Sequence, residues 1–538
     1  MSDVHGREVV QPNFKLSERG SGVLLHLTSL PGPHGNGDLG PEARAFVDFL
    51  QRAGQRWWQL LPVNPVGPGY SPYSGVSAFA GNPLLIDLRN LVAEGLLEPS
   101  EVATELSSGH AQYDAASELR TAVLRRAFTR FHGAEGARFA DALAAFRARA
   151  SFWLGDYALF MALKHAHGGA AWTTWDSEHA RHEPAALQLA RAALADEVSY
   201  FEFEQFVFDR QWRALRDYAA ERGVGLIGDA PIFVSHDSSD VWANQHWFRL
   251  DEQGQPTVVS GVPPDYFSQT GQRLGTPLYR WKVLQQDGYR FWVERFRRLM
   301  EQFDVIRLDH FIGFVRFWEI PAREETAMHG RWVKGPGSDL FETAERALGA
   351  LPFIAEDLGS VTPKVRALRR RHHMPGMRIL QFGFSGDPKE NQFLPHHYVR
   401  NCVAYTGTHD NDTAVGWFED PGQAGGPRTP EAARHERHAA QLYLSGPLLA
   451  SSAALPIHWA MIRALFASIA DTVIVPLQDL LGLGSEARMN TPGVGDGNWT
   501  FRFDGSALTS ELADFLRSHT EVYGRLASKT FAESQKSD

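Results

Sequence analysis

The chain has 538 residues, of which 43% are hydrophobic and 22% are charged, as in an ordinary globular protein with a large core. Its net charge of -10, without a basic run, argues against nucleic-acid binding and favours a neutral substrate. No stretch reaches the roughly 18 apolar residues of a membrane span, and the first residues do not resemble a signal peptide, so we expect a cytoplasmic protein with no membrane contact. The single cysteine, Cys402, excludes an intramolecular disulfide.

Short apolar runs along the chain predict eight strands, at residues 23–27, 57–63, 224–229, 305–309, 353–356, 378–382, 402–406 and 472–476. A helix that begins near Pro41 follows the first run, as in a βα unit. Between about residues 91 and 222 the composition shifts to Ala, Leu, Arg and Glu with helical spacing. The pattern predicts an α/β fold, a (β/α)₈ TIM barrel with inserted, largely helical subdomains.

We divide the chain into a polar N-terminal extension at residues 1–20, a catalytic barrel at residues 21–527 and a polar tail at residues 528–538. Within the barrel, a loop insertion rich in Gly, Pro, Ser and Tyr covers residues 64–90, and the helical insertion covers about residues 91–222. Loops of that length usually carry function, so we expect the loop within residues 64–90 to be functional.

Three acidic residues stand where an apolar run ends: Asp309, Glu356 and Asp410. In a parallel barrel the carboxyl ends of several strands converge on one rim, which carries the chemistry. A carboxylate cluster at that rim suits the cleavage of glycosidic bonds. One carboxylate must be ionised to attack or stabilise an oxocarbenium-like centre, while another holds a proton for the departing oxygen.

The residues around these three acids predict different protonation states for Asp309 and Glu356 and a different role for Asp410. Strand periodicity places Arg307 on the same face as Asp309, and we expect the guanidinium to keep that carboxylate ionised, although a structural ion pair remains an alternative. Glu356 follows a buried run, so desolvation favours its protonated form, although a helix cap would explain it equally. The polar segment around Asp410 suits a rim that binds sugar hydroxyls, with an Asx turn as the alternative.

Two other kinds of site are less well supported. Gly35, Gly37 and Gly40 match the dinucleotide motif G-x-G-x-x-G, but prolines separate them from the strand and no acidic residue closes the second strand candidate. We interpret this segment as a tight βα loop. Adjacent histidine pairs occur at 372–373 and 396–397 without a spaced set of partners, so we expect no metal and no other cofactor.

At these residues the sequence strongly resembles the 4-α-glucanotransferases, or amylomaltases, of the α-amylase superfamily. The similarity runs from about residue 24 to 503 and rests on a set of sequence segments that occur in the same order as in the family. They are Ser-Pro-Tyr and Ser-Ala-Phe-Ala-Gly-Asn-Pro within residues 71–83, Gly-Asp-Ala-Pro-Ile at 228–232, Gly-Val-Pro-Pro-Asp-Tyr-Phe at 261–267, Arg-Leu-Asp-His-Phe at 307–311, Ala-Glu-Asp-Leu-Gly at 355–359, Thr-His-Asp-Asn at 408–411, and Arg-Met-Asn and Pro-Gly within 488–493.

The resemblance implies retaining transfer of α-1,4-glucan segments, from malto-oligosaccharides, starch or glycogen to the 4-hydroxyl of an acceptor glucan or glucose. It implies that Asp309 is the nucleophile, Glu356 the acid/base and Asp410 the stabiliser of the bound sugar. The further substrate-binding residues that it implies are Arg307 and His409 beside that sugar, Tyr73 and Asp229 on the donor side, and Gln272 and Asn490 in the cleft.

Two alternatives remain: an α-1,4-glucan hydrolase with the same residues, and a non-catalytic glucan-binding protein, which would be expected to have lost one carboxylate.

The sequence departs from the family at Leu274 and Thr276, where relatives usually carry Trp and Asn in a loop that overhangs the cleft, and at Asn36, where an aliphatic residue is usual. The oligomeric state is not predicted.

Overall fold

The computed structural model describes residues 14–106, 109–264, 270–424, 428–445 and 455–526. Within these ranges the strands are β1 Gly20–Leu24, β2 Trp57–Gln59, β3 Gly225–Ala230, β4 Val258–Val262, β5 Gln272–Pro277, β6 Val305–Leu308, β7 Arg316–Pro321, β8 Arg331–Lys334, β9 Phe353–Ala355, β10 Gly376–Ile379, β11 Cys402–Tyr405 and β12 Thr472–Pro476. Strands β1, β2, β3, β6, β9, β10, β11 and β12 close a parallel barrel in chain order. The predicted (β/α)₈ fold is confirmed.

Each of the eight predicted runs overlaps a barrel strand, but two were placed too late along the chain. The first strand begins at Gly20, three residues before the predicted run, because Gly20 and Ser21 are buried without being apolar. Strand β10 likewise begins at Gly376, and the chain then turns into a 3₁₀ helix at Leu380–Phe384 where we predicted strand.

A second sheet was not predicted. Its order is β5-β4-β7-β8, and its pairings are antiparallel. Strands β4 and β5 lie in the segment after β3, and β7 and β8 follow β6, so the sheet is built from loops at the carboxyl ends of two barrel strands. Strand β5 has the partly exposed sequence Gln-Arg-Leu-Gly-Thr-Pro and β8 the largely exposed sequence Arg-Trp-Val-Lys, so neither gives the signal of a buried apolar run.

The described α-helices are α1 Pro41–Arg52, α2 Leu88–Ala93, α3 Tyr113–Phe131, α4 Ala140–Arg149, α5 Leu154–Ala166, α6 Ser177–Ala180, α7 Pro184–Ala193, α8 Ala195–Glu221, α9 Ser239–Ala243, α10 Trp281–Gln286, α11 Arg290–Gln302, α12 Ser338–Leu348, α13 Pro363–Arg371, α14 Ala414–Glu419, α15 Pro430–Ser445, α16 Ile457–Ala467, α17 Leu477–Leu481 and α18 Ser510–Val522. Helices α2–α8 lie between β2 and β3, where the composition is rich in Ala, Leu, Arg and Glu. None of the helices in the described ranges combines the length and apolarity needed to cross a membrane.

Close backbone approach inside the barrel depends on two glycines. A Cβ atom on Gly22 of β1 would lie 2.3 Å from the carbonyl oxygen of Trp57 on β2. On Gly228 of β3 it would lie 2.3 Å from the ring of Phe303, which precedes β6. Both separations are far below van der Waals contact, so any side chain here would push apart the elements that position the site.

Candidate active site

The pairing of β6 with β9 places Asp309 and Glu356 side by side. Leu308 lies opposite Ala355, and each acid is the next residue on its strand. The backbone N–H of Glu356 donates to the carbonyl of Leu308 at 3.1 Å, and that of Asp309 donates to Ala230 of β3 at 3.0 Å. The barrel ladder therefore holds both acids at the carboxyl rim, where two neighbouring strands end.

The chain turns sharply immediately after Asp309. His310 has a φ of 48°, in the left-handed region that non-glycine residues rarely adopt. A conformation of this kind costs on the order of 1 kcal/mol and is typical of functional rims. The N–H of Phe311 then donates to the carbonyl of Glu356 at 3.1 Å, which ties the turn back to the neighbouring strand.

Arg307 links two carboxylates on the floor of the site. Its Nη1 donates to both oxygens of Asp229, at 2.8 and 2.7 Å, and lies 3.0 Å from Oδ1 of Asp309. Asp229 stands opposite Arg307 in the pairing of β3 with β6, so the register itself creates this contact. Burial raises the pKa of Asp229, while the Arg307 charge opposes the rise. The guanidinium therefore supplies positive charge to Asp229 and Asp309 together.

Glu356 is in a different electrostatic environment from Asp309. Burial raises the pKa of Glu356 to about 8; the Arg307 charge opposes this rise, and the Asp309 charge adds to it. One carboxylate oxygen, Oε1, accepts the N–H of Leu358 at 2.9 Å. Glu356 therefore holds a proton at neutral pH, beside the partly exposed carboxylate of Asp309. A proton donor beside a nucleophile is the pairing that glycosidic cleavage requires.

Asp410 lies on the segment that follows β11, and the chain after β12 holds it there. The side-chain Nδ2 of Asn490 donates to Oδ1 of Asp410 at 2.6 Å, and Arg488 donates to the Asp410 carbonyl, also at 2.6 Å. Nε2 of His409 lies 3.3 Å from the same Oδ1. The Asp410 side chain is 45% exposed, so its remaining oxygen is free to meet a ligand.

Aromatic rings connect the Asp410 segment to Asp229. Tyr73 stacks on His409 with ring centroids 5.2 Å apart, and Trp499 lies 5.8 Å from Tyr73. The hydroxyl of Tyr73 donates to Oδ2 of Asp229 at 2.7 Å. Burial, followed by the charge of Asp229, raises the pKa of Tyr73 well above its ordinary value, so this hydroxyl stays a donor. Together the rings form an apolar wall of the kind that packs against sugar faces.

The structure brings eight of the nine predicted site residues into one network: Asp309, Glu356, Asp410, Tyr73, Asp229, Arg307, His409 and Asn490. Gln272 lies on β5, where it pairs with Val262 of β4. In the part of the chain that the structure describes, no hydrogen bond or ion pair joins Gln272 to the three carboxylates. Asp265, Tyr266 and Phe267, the end of the Gly-Val-Pro-Pro-Asp-Tyr-Phe segment that carries part of the resemblance, fall outside the described residues.

Two residues of this region were missed by sequence reasoning. Asp479 is fully buried and accepts hydrogen bonds from the Thr406 hydroxyl and, at 2.6 Å, from the N–H of Ala414, so it holds both ends of the segment that carries Asp410. Burial raises the pKa of Asp479 to about 6. Asp479 follows the predicted strand at residues 472–476. An acidic residue near the end of a predicted strand is the same signal that identified Asp309, Glu356 and Asp410. Trp499 has no comparable signal in the sequence.

A closed barrel whose rim holds two carboxyl groups in different electrostatic environments at adjacent strand ends fits a class, the barrel enzymes that act on glycosidic bonds. The family model described as 4-alpha-glucanotransferase, glycoside hydrolase family 77, matches residues 25–509. The chain belongs to this family.

Similar proteins agree with this assignment. The 4-alpha-glucanotransferase of Thermus thermophilus is 48% identical over 94% of this chain and 99% of its own length. That of Synechocystis is 45% identical, over 95% and 99%. Among solved structures, an amylomaltase from Streptococcus agalactiae in complex with acarbose superposes with a TM-score of 0.88 and is 37% identical, covering 95% of this chain and all of its own.

Proposed function

We propose that the protein transfers α-1,4-glucan segments from malto-oligosaccharides, starch or glycogen to the 4-hydroxyl of an acceptor glucan or glucose, through a covalent glycosyl-enzyme. The observation that carries this proposal is the buried Glu356 beside Asp309 at adjacent strand ends of the barrel rim, where burial raises the pKa of Glu356. Family membership supports the choice of a glucan substrate. Acarbose, which the Streptococcus agalactiae enzyme binds, is the ligand we expect to occupy the same cleft.

The reaction takes two steps. In the first, Glu356 gives its proton to the glycosidic oxygen while a carboxylate oxygen of Asp309 attacks the anomeric carbon, and the shortened glucan leaves. In the second, the Glu356 carboxylate takes the proton of the acceptor 4-hydroxyl, whose oxygen displaces Asp309. Two displacements at the same carbon retain its configuration. Carboxyl and guanidinium groups supply all the charge that these steps need, so the proposal includes no cofactor.

The surrounding residues hold the donor sugar. Asp410, kept in place by Asn490, accepts hydrogen bonds from sugar hydroxyls. Arg307 balances the charge of the Asp309 carboxylate before the first step and again after the second, when Asp309 is released from the sugar. Tyr73 and His409 offer ring surface, with Asp229 fixing the Tyr73 hydroxyl. We retain Gln272 as a cleft residue from the resemblance alone.

Hydrolysis by the same residues is the alternative, and the products formed from maltotriose separate the two reactions. Transfer conserves the number of reducing ends while it forms glucose and longer oligosaccharides. Hydrolysis creates one new reducing end in each turnover. We expect glucose and maltopentaose to appear with little rise in reducing ends. A rise that keeps pace with the glucose formed would identify a hydrolase.

The domain division stated above also stands as a proposal, with helices α3–α8 as the helical insertion. Cytoplasmic location remains a prediction from sequence.

Replacing Asp410 by Asn should lower the transfer rate by about tenfold to a hundredfold. A hydrogen bond to a charged group contributes roughly 1.5 to 3 kcal/mol, and the neutral amide loses that contribution to the distorted sugar. The rate is measured from initial glucose release with maltotriose. As a control, Asp387→Asn changes an exposed loop carboxylate that bonds only its own turn, and it should act at the wild-type rate. Wild-type rates in Asp410→Asn would mean that Asp410 only shapes its loop.

Replacing Leu274 by Trp should lower the ratio of hydrolysis to transfer. Leu274 is 53% exposed on strand β5, at the edge of the second sheet, so a larger ring fits without displacing the core. A ring there would restore a stacking surface and reduce the access of water to the glycosyl-enzyme. The ratio is measured as reducing ends released per glucan transferred. Leu189→Trp, at an exposed position of helix α7, controls for an added surface ring and should leave the ratio unchanged. An unchanged or higher ratio in Leu274→Trp would show that this strand does not control water access.

A further inference from the structure

We propose that His167, Asp176 and His179 bind one divalent transition-metal ion of the zinc type, at a site separate from the carboxylate rim. His167 directly follows helix α5, Asp176 directly precedes helix α6, and His179 lies within α6. One ligand atom from each residue lies within 4.8 Å of the other two. Two imidazole nitrogens and a carboxylate oxygen are a donor set that suits Zn²⁺ and neighbouring transition metals.

The distances between these atoms suit a shared ion better than direct contact. Nδ1 of His179 and Oδ2 of Asp176 are 3.8 Å apart, which is too long for a hydrogen bond. Two ligands on one tetrahedral zinc, each about 2.0 to 2.2 Å from the metal, are separated by roughly 3.4 Å. Small side-chain rotations therefore bring the three atoms into coordination geometry.

An unpaired nitrogen points to the same conclusion. Nδ1 of His179 is buried and has no hydrogen-bond partner among the residues that the structure describes. A buried polar atom of this kind normally finds a partner, because leaving it unpaired is unfavourable. A metal ion between His179, Asp176 and His167 would supply that partner.

Tryptophan contacts already fix the backbone and rings that carry the ligands. The His167 ring stacks on Trp175, with centroids 5.4 Å apart and planes at 11°. The indole N–H of Trp242 donates to the carbonyl of His179 at 2.8 Å. Ordering the ligands therefore costs little entropy on binding. The Asp176 side chain is 80% exposed, so the ion would complete its coordination with water on that side.

A bound ion would connect the end of α5 to α6 and brace this part of the helical segment. The same stretch contacts the loop after β3, where Trp172 donates to the carbonyl of His236 at 2.8 Å and Lys164 pairs with Asp237 at 2.6 Å. We therefore expect the ion to stabilise the fold and to take no part in the reaction.

Isothermal titration of the full-length protein with ZnCl₂, after removal of metal by chelation, tests the site. We expect one equivalent to bind, and saturating Zn²⁺ to raise Tm by about 1 to 3 °C. His167→Ala and Asp176→Asn should each weaken that binding at least about tenfold and abolish the rise in Tm. Both residues are at least partly exposed, so both variants should fold and keep the wild-type rate of glucan transfer.

Two control variants separate this site from other histidines. His165→Ala removes a histidine from the same helix that pairs with Glu197, and His396→Ala removes one member of an exposed pair. Both should bind Zn²⁺ as the wild type does. The proposal is overturned by an absence of stoichiometric binding, by affinity that survives both ligand variants, or by affinity lost only in a control variant.

Discussion

The Asp309→Asn variant is expected to fold normally and to lose glucan transfer by a factor on the order of 10⁴ or more. An amide is a poor nucleophile, and it no longer offsets positive charge on the anomeric carbon. Folding should survive because Asp309 is partly exposed. In the wild type, Oδ1 of Asp309 lies 3.0 Å from Nη1 of Arg307, and the amide oxygen of an Asn at this position can still accept from that nitrogen. The measurement is initial glucose release from maltotriose, with Tm and circular dichroism recorded on the same samples.

The matched control is Asp514→Asn, which neutralises an Arg-paired carboxylate on the surface, in the bidentate contact with Arg52. That variant should keep the wild-type rate, because surface ion pairs contribute little. Turnover near the wild-type rate in Asp309→Asn itself would remove Asp309 from the chemistry. Retained binding of acarbose alongside lost turnover would show that the cleft is intact.

The barrel was predictable because its strands are short, buried and apolar. Each run was detectable by itself, and the chain-order pairing of a parallel barrel needs no further information. The second sheet was not predictable, since strands such as Arg331–Lys334 take their conformation from partners across the sheet, and this short, largely exposed strand has a charged residue at each end and no buried apolar run. The predicted start of β1 was too late for the same reason. Gly20 belongs to the strand because it pairs with Thr472 of β12, which its own sequence does not indicate.

The site was predictable to the extent that it follows strand ends. Asp309, Glu356 and Asp410 follow apolar runs, so their position at strand ends identified them, whereas Asp229, opposite Arg307 in the pairing of β3 with β6, was implied by the resemblance alone. Trp499 reaches Tyr73 only through the folded path of the chain, and nothing local marks it. Gln272 was named by the resemblance alone, and its place on β5 opposite Val262 leaves its role as a cleft residue a prediction.

Glu356→Gln should abolish transfer from maltotriose but retain much of the first step with α-glucosyl fluoride. A sugar hydroxyl is a poor leaving group and needs the proton, whereas fluoride leaves without it. The second step also lacks its base, so the glycosyl-enzyme should accumulate on Asp309. Mass spectrometry of the intact protein and of its peptides measures that adduct, and fluoride release measures the first step. Glu342→Gln, at an exposed carboxylate that pairs with Arg371, is the control and should behave as the wild type.

The pH dependence of the wild type tests the same assignment independently. Because burial raises the pKa of Glu356 to about 8, the protonated acid predominates in the free enzyme below that pH and is lost as the pH rises through it. The kcat/KM for maltotriose should therefore fall on the alkaline side with an apparent pKa near 8. Fluoride release by Glu356→Gln should lack this alkaline limb, since the titrating proton is gone. An identical limb in that variant, or equal loss of rate with both donors, would assign the proton to another group and remove Glu356 as the acid.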